Sequence, residues 1–324
     1  MTGTHQVIVQ NRRVQFKFTL TRNITILRGD SATGKTKLIE MIAAHQRDGD
    51  ASGVNLSCDK PCVVLTGSYW RAILSEVKDS IVFIDEGEQF VTTDEFAKAV
   101  QASDNYYVIA TRSSLFNLTY STKEVYGIRN TAGNRYQGTK KLYSEFYPLN
   151  NETVDHIPHP DVVLVEDSNS GYEFFEAICK EHGVRCISAN GNGNVYAELQ
   201  ALHAETVLVV VDGAAFGQQM ERVLSLRQIR NIILYLPESF EWIILKSGVV
   251  SNVQHILESP ADYIESAQYY SWERFFTKLL TENTQGTYLK YSKSKLNASY
   301  LQANETAKIM NVMPEIRWNQ RTAE

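Results

Sequence analysis

The chain has 324 residues, 43% of them hydrophobic and 21% charged, with 32 Lys+Arg against 37 Asp+Glu and a formal net charge of −5. This is ordinary globular composition with length for two domains, and 18 glycines and 7 prolines are too few for a disordered or collagen-like chain. The longest purely aliphatic run, Val207 to Val211, has five residues, against the ~20 needed to cross a bilayer, so no membrane partner is expected. The opening residues, Met1-Thr-Gly-Thr-His-Gln, have no basic stretch leading into an apolar core, which predicts a cytoplasmic protein. Four cysteines, Cys58, Cys62, Cys179 and Cys186, are too sparse for a disulfide scaffold and read as reduced thiols. The charge is unevenly spread: residues 1–160 carry 18 basic and 17 acidic side chains, 161–265 carry 6 and 15, and 266–324 carry 8 and 5. An acidic middle block repels polyphosphate unless a cation bridges it, and the balance gives no support to a strongly basic nucleic-acid binder.

In chain order, Gln6-Val-Ile-Val-Gln and Val14-Gln-Phe-Lys-Phe-Thr-Leu alternate apolar and polar residues around Asn11-Arg12-Arg13, which predicts a hairpin. Asn23-Ile-Thr-Ile-Leu-Arg28 reads as a short strand, followed by a glycine-bearing loop and a helix over Lys37–His45. Further strands at Cys62-Val-Val-Leu, Ile81-Val-Phe-Ile and Tyr106-Tyr-Val-Ile-Ala, with helical patterns between them, predict an α/β fold with a parallel sheet and helices on both faces. Residues 150–161 are polar and hold Pro158 and Pro160, so the first domain boundary falls there, giving domains 1–158, 159–245 and a mainly helical extension 246–324. The second domain alternates strands at 162–165, 184–188, 206–211 and 231–236 with helices at about 171–182, 194–203 and 215–227. In the extension, Trp272–Leu280 has helical spacing and Tyr288-Leu-Lys-Tyr-Ser-Lys-Ser-Lys295 interleaves Tyr with Lys. That segment is either a packed helix with a solvated lysine face or a surface for single-stranded nucleic acid.

The most specific feature is Gly29-Asp30-Ser31-Ala32-Thr33-Gly34-Lys35-Thr36, which matches G-x-x-x-x-G-K-[ST] between a predicted strand and a predicted helix. Its glycines let backbone N–H groups turn toward a β-phosphate, Lys35 reaches the β- and γ-phosphates, and the Thr36 hydroxyl ligates Mg²⁺. Forty-nine residues after Thr36, the apolar run Ile81–Ile84 ends in Asp85-Glu86. Asp85 is thereby the second Mg²⁺ residue, and Glu86 the general base that activates water. These two motifs resemble those of the P-loop NTPases, over roughly residues 1–150, and the adjacent Glu86 implies a hydrolase rather than a kinase. By the same resemblance, which is closest to ATPases of the AAA type, Thr111 or Arg112 at the tip of the following strand senses the γ-phosphate. The chain has no Leu-Ser-Gly-Gly-Gln signature and no Asn-Lys-x-Asp motif, so ATP with Mg²⁺ is the expected cofactor by elimination. Cys58-x-x-x-Cys62 and His156-Ile-Pro-His159 lack a second pair at zinc spacing and read as structural.

In the second domain, Val165-Glu166-Asp167 and Val211-Asp212-Gly213-Ala214-Ala215-Phe216-Gly217 put acids at the tips of two predicted strands. This resembles a Toprim domain, as found in topoisomerases, bacterial primases and the OLD-family nucleases, and implies Glu166 and Asp212 as metal ligands. The departures are that Asp167 replaces a glycine, Ser170 stands where OLD-type nucleases have an acid, and Ala214 replaces the second acid of Asp-x-Asp. An incomplete acid set implies a largely inactive Toprim-like domain. An ATPase followed by a Toprim-like module resembles a shortened OLD-family arrangement and implies a nucleotide-dependent switch in a DNA-linked mobile-element or defence process, with DNA as a partner. The alternatives are an ATP-gated protein that oligomerises with itself or recruits a protein partner, an active metal-dependent nuclease, and a small-molecule kinase.

Overall fold

The structure is a computed structural model that describes residues 1–29, 33–131, 141–150 and 156–318. It divides into two compact units, Met1–Asn151 with Ser259–Tyr270, and Glu152–Glu258 with Ser271–Glu324. The expected C-terminal extension is thus shared out, a twelve-residue excursion going to the first unit and the remainder to the second.

The first unit contains β1 (His5–Gln10), β2 (Val14–Leu20), β3 (Ile24–Leu27), α1 (Lys35–Asp48), β4 (Asn55–Ser57), β5 (Cys62–Val64), α2 (Trp70–Glu76), β6 (Ile81–Ile84), α3 (Asp94–Gln101), β7 (Tyr106–Ala110), β8 (Val125–Asn130) and β9 (Leu142–Pro148). β1 and β2 form the expected antiparallel hairpin, closed by the Asn11 carboxamide oxygen, which accepts from the N–H groups of Arg13 and Val14. Their alternate residues are buried, so one face is packed and the other partly wet. β3, β6 and β7 are buried along their whole length, and their alternate side chains supply two cores. Ile81, Phe83, Val108 and Leu27 pack with Leu38, Met41 and Ile42 of α1, while Val82, Ile84, Ile26 and Ile109 pack with Trp70 of α2 and Phe96 of α3. Helices therefore cover both faces, as the unbroken apolar strands require.

All nine strands join one mixed sheet in the order β4-β1-β2-β9-β8-β3-β7-β6-β5. The run β8, β3, β7, β6, β5 is parallel and so is the pair β2–β9, while β1–β2, β1–β4 and β8–β9 are antiparallel, so the sheet is mixed rather than parallel. The outermost strands β4 and β5 are separated by just residues 58–61. Five Cα–Cα steps reach at most about 18 Å, whereas eight interstrand spacings laid flat would span about 38 Å. The sheet is accordingly curled, with α1 against both edges: His45 Nδ1 donates to the Val54 carbonyl (3.1 Å) and the Gln46 Oε1 accepts from Val64 N–H (2.8 Å). The excursion 259–270 completes the unit: Ser266 N–H donates to the Met1 carbonyl, Asn23 donates to the Tyr270 carbonyl, and the Tyr270 ring enters the core beside α3.

The second unit contains β10 (His156–Pro158), β11 (Val162–Val165), α4 (Ser170–His182), β12 (Arg185–Ser188), α5 (Val195–Ala201), β13 (Thr206–Val210), α6 (Met220–Arg227), β14 (Asn231–Tyr235), α7 (Phe240–Lys246), α8 (Gln254–Glu258), α9 (Trp272–Thr284), α10 (Ala303–Met310) and β15 (Glu315–Arg317). A fully parallel sheet runs β12-β11-β13-β14, and a separate parallel pair joins β10 to β15. β15 departs from the mainly helical extension expected over 246–324. It is three residues long, below the length at which alternation declares itself, and is held by pairing with β10 far away in sequence. α9 buries Phe275, Phe276, Leu279 and Leu280, so the Trp272–Leu280 segment is a packed helix.

Phe83 is fully buried and meets the Phe18 ring edge-on at 6.3 Å. Phe83→Ala is expected to lower the stability of the first unit by about 3–5 kcal/mol, which urea denaturation followed by a first-unit probe would measure.

Candidate functional site

The glycine-bearing loop starts where buried β3 ends. Arg28 N–H donates to the Tyr126 carbonyl of β8 (2.7 Å) and its guanidinium to Ser114 Oγ (2.8 Å), which fixes the base of the loop. Gly29 and Gly34 have φ of 131° and 102°, in the left-handed range that other residues rarely enter. A Cβ on Gly34 would also stand 3.3 Å from the Phe16 ring. Asp30, Ser31 and Ala32 lie outside the described residues. α1 then begins at Lys35 with no acid in its first turn, so nothing there neutralises the positive end of the helix dipole.

Lys35 is only 4% exposed, and its ammonium folds back to donate to the Gly29 carbonyl (2.5 Å) and to Thr33 Oγ1 (3.4 Å). The Thr36 hydroxyl donates to Asp85 Oδ1 at 3.4 Å, and the same oxygen accepts from Glu86 N–H at 2.8 Å. Asp85 and Glu86 follow directly on β6, whose neighbour β7 lies between it and β3. Because these strands are parallel, the loop, Asp85-Glu86 and Thr111-Arg112 all leave the carboxyl edge of the sheet, where open α/β folds bind ligands. The Arg112 guanidinium pairs with the Glu86 carboxylate. Thr111 is buried, its hydroxyl closing a turn with the Ser113 backbone in both directions. Residues 33–37, Glu86 and Arg112 line a cleft of about 300 Å³. Lys35, Lys37 and Arg112 thus share it with the single carboxylate of Glu86, a surplus of positive charge suited to a polyphosphate.

In the second unit, β11 and β13 are adjacent and parallel, and they bring Glu166 and Asp212 together: Asp212 N–H donates to Glu166 Oε2 at 3.0 Å. Asp212 Oδ1 accepts from Phe240 N–H, and Gly213 follows because a Cβ there would lie 2.8 Å from the Leu236 and Pro237 carbonyl oxygens. Asp167 is otherwise engaged. Its Oδ1 accepts from the N–H groups of Ser168 and Asn169 and its Oδ2 from Gly171 N–H, so it braces the start of α4. Ala214 is 4% exposed, with its N–H on the Glu238 carbonyl. The glycine-asparagine turn after β12 bears on the same edge through Gly191 N–H to the Glu166 carbonyl.

Two acids of this cluster, Glu241 and Glu273, carried no sequence signal, and Tyr291 and Lys293 join it from the segment that interleaves Tyr with Lys. Glu241, buried on α7, accepts from Tyr291 Oη at 2.8 Å, and that hydroxyl also meets Ser170 Oγ at 2.7 Å. Glu273 on α9 pairs with Lys293, which lies in the segment beyond α9. The alternative of a nucleic-acid surface over 288–295 is weakened accordingly: Tyr291 is 2% exposed and Lys293 is paired with Glu273. Burial works against the Lys293 ammonium, but Glu241 and Glu273 outweigh it and hold the lysine above its ordinary value. Burial pushes Asp212 well above the usual carboxylate range, helped by Glu273 and Glu166. Glu166 is raised to about 7, chiefly by burial and against the hydrogen bond from Asp212 N–H.

Among the described residues, no group of three or more His, Cys, Asp or Glu side chains is placed to hold a metal ion, and no helix is long and apolar enough to cross a membrane. Set against models of known protein families and against characterised proteins, the chain matches none.

The raised Glu166 sets a pH dependence. A carboxyl that titrates at 4.5 in its ordinary state and at about 7 when folded binds its proton more tightly in the native protein. Its contribution to stability is therefore complete below pH 4.5 and is lost as pH climbs through 7. Glu166→Gln keeps an acceptor for Asp212 N–H without the charge. Its thermal midpoint is expected to exceed that of the wild type at pH 8, with the gap closing toward pH 5 in a calorimetric pH series.

Proposed function

We propose that the first unit is a P-loop ATPase of AAA-like type that binds Mg²⁺-ATP and hydrolyses it as a nucleotide-dependent switch. The observation that carries the reading is the Thr36 hydroxyl 3.4 Å from Asp85 Oδ1, beside a loop whose lysine is already turned inward. Two hard oxygen donors at one point suit Mg²⁺, which takes such ligands together with phosphate oxygens. Bound there, the ion supplies charge neutralisation of the β- and γ-phosphates. The residues of the chain do the rest. Lys35 exchanges the Gly29 carbonyl for phosphate oxygens, the N–H groups at the start of α1 donate to the same anion, and Arg112 exchanges the Glu86 carboxylate for the γ-phosphate. That last exchange frees Glu86 to accept a proton from the attacking water, so the Arg112–Glu86 pair is a resting state that the substrate itself opens.

The second unit, in this reading, is a Toprim-like module without two-metal cleavage. Asp167 has three backbone N–H partners, Ala214 supplies no carboxylate, and Lys293 already brings positive charge to the acids. A DNA-linked role in mobile-element or defence biology rests on the order of the two modules, ATPase first and Toprim-like second. An ATP-gated interaction protein is the reading left if DNA has no effect.

Lys35→Ala is expected to abolish binding of a fluorescent ATP analogue. Glu86→Gln is expected to keep binding while slowing turnover by about 100-fold or more, and wild-type turnover is expected to change when duplex DNA is added. Unchanged turnover in both variants would overturn the ATPase reading. Nicking of plasmid in Mn²⁺ that Glu166→Ala abolishes would overturn the inactive second module.

A further inference from the structure

The four cysteines fall into two neighbouring pairs in different surroundings. Cys179 on α4 and Cys186 on β12 lie within the second unit, with Cys179 1% exposed. Cys58 and Cys62 are half-buried and stand at the two ends of the short connection from β4 to β5. In that connection Lys60 N–H donates to Cys58 Sγ at 3.4 Å, and the Cys62 thiol donates to the Lys60 carbonyl at 3.8 Å. Both sulfurs thus gather on the backbone of one residue, Cys58 on its N–H and Cys62 on its carbonyl. Around them, the Cys58 thiol reaches Asp59 Oδ1 at 3.5 Å, Asp59 is paired with His5, and Lys60 is paired with Asp79.

We propose that Cys58 and Cys62 form a redox-active dithiol that reacts with hydroperoxides and closes to a disulfide joining the two outermost strands of the curled sheet. The turn geometry assigns the two roles. The neighbouring Cys62, and the Lys60 N–H from which the Cys58 sulfur accepts, favour the Cys58 thiolate, and these outweigh burial and the Asp59 carboxylate, drawing the thiol below its ordinary value. The Cys62 thiol faces the Lys60 carbonyl, and the neighbouring Cys58 sulfur together with burial pushes it up, so it keeps its proton until its neighbour has reacted. The Cys58 thiolate attacks one peroxide oxygen, the O–O bond breaks, and the departing alkoxide takes a proton to leave as the alcohol, with Cys58 as sulfenic acid. The Cys62 sulfur then attacks that sulfenic sulfur, its proton leaves with the hydroxyl as water, and the S–S bond forms. Two thiols lose two electrons and the peroxide gains them. The staple ties β4 to β5 across the point where the curl brings the sheet edges together, a place at which four intervening residues already hold them close.

The test uses the full-length reduced protein and hydrogen peroxide, with mass spectrometry of peptides after alkylation of all remaining thiols in denaturant. The peptide spanning 58–62 is expected to lose its two thiol hydrogens and resist alkylation, while Cys179 and Cys186 alkylate fully. Cys62→Ser is expected to stop at a sulfenic acid on Cys58 that dimedone traps, and Cys58→Ser to leave Cys62 as a thiol. The proposal is overturned if Cys58 and Cys62 both remain alkylatable in wild-type protein at a peroxide exposure that fully oxidises glutathione, if Cys58 runs on to sulfinic acid with Cys62 untouched, or if Cys179 and Cys186 react first. The wild-type peptide masses decide the matter even where a serine variant fails to fold.

Discussion

Residues 58–61 connect the two outer strands of a nine-stranded sheet, and the first unit is organised by that short tether. A flat sheet would hold the edges about 38 Å apart, so the chain curls and encloses α1. The helix is thereby gripped along its length: Leu38 and Ile42 are fully buried, and its last turn is bonded to the backbone on both sides of the tether. An enclosed helix has a fixed start, which is where Lys35 and Thr36 stand. The curl at one end of α1 and the glycine-bearing loop at the other are consequences of the same packing.

The two units deal with buried charge in opposite ways. In the first, cations converge on a loop that has no acid in the opening turn of its helix, and a buried ammonium is satisfied by carbonyl and hydroxyl oxygens that an anion can replace. In the second, carboxylates converge and the compensation is internal: Glu166 and Asp212 hold protons more tightly, Glu241 takes a hydrogen bond from Tyr291, and Lys293 supplies positive charge. An unpaired carboxylate in such a place costs several kcal/mol, and Lys293, in the segment between α9 and α10, offsets part of that cost.

Local chemistry was legible in the sequence and distant pairing was not. The β1–β2 hairpin announced itself by alternation and the Asn11 turn, three strands of the second unit by unbroken aliphatic runs, and the loop after β3 by Gly29 and Gly34, whose φ values are positive. β8 and β9 gave no such signal, because Gly127 interrupts one and Leu142–Pro148 mixes polar and aromatic residues without strict alternation. They are strands because β3 and β2 offer them edges. The return of 259–270 to the first unit has the same cause, since Tyr270 fills a gap in a core assembled some 150 residues earlier. Glu166 and Asp212 could be found from strand tips, whereas Lys293 lies 81 residues after Asp212 in a stretch that reads as surface.

Lys293 sets how the acids of the second unit are balanced. Its ammonium is paired with Glu273, and Glu241 and Glu273 hold it above its ordinary value against burial. The same positive charge favours the ionised forms of Glu166 and Asp212, while burial and neighbouring acids hold both above their ordinary values. A carboxyl introduced at position 214, which is 4% exposed and follows directly on Asp212-Gly213, would meet the same burial. Such a carboxyl would take up a proton sooner than recruit a cation.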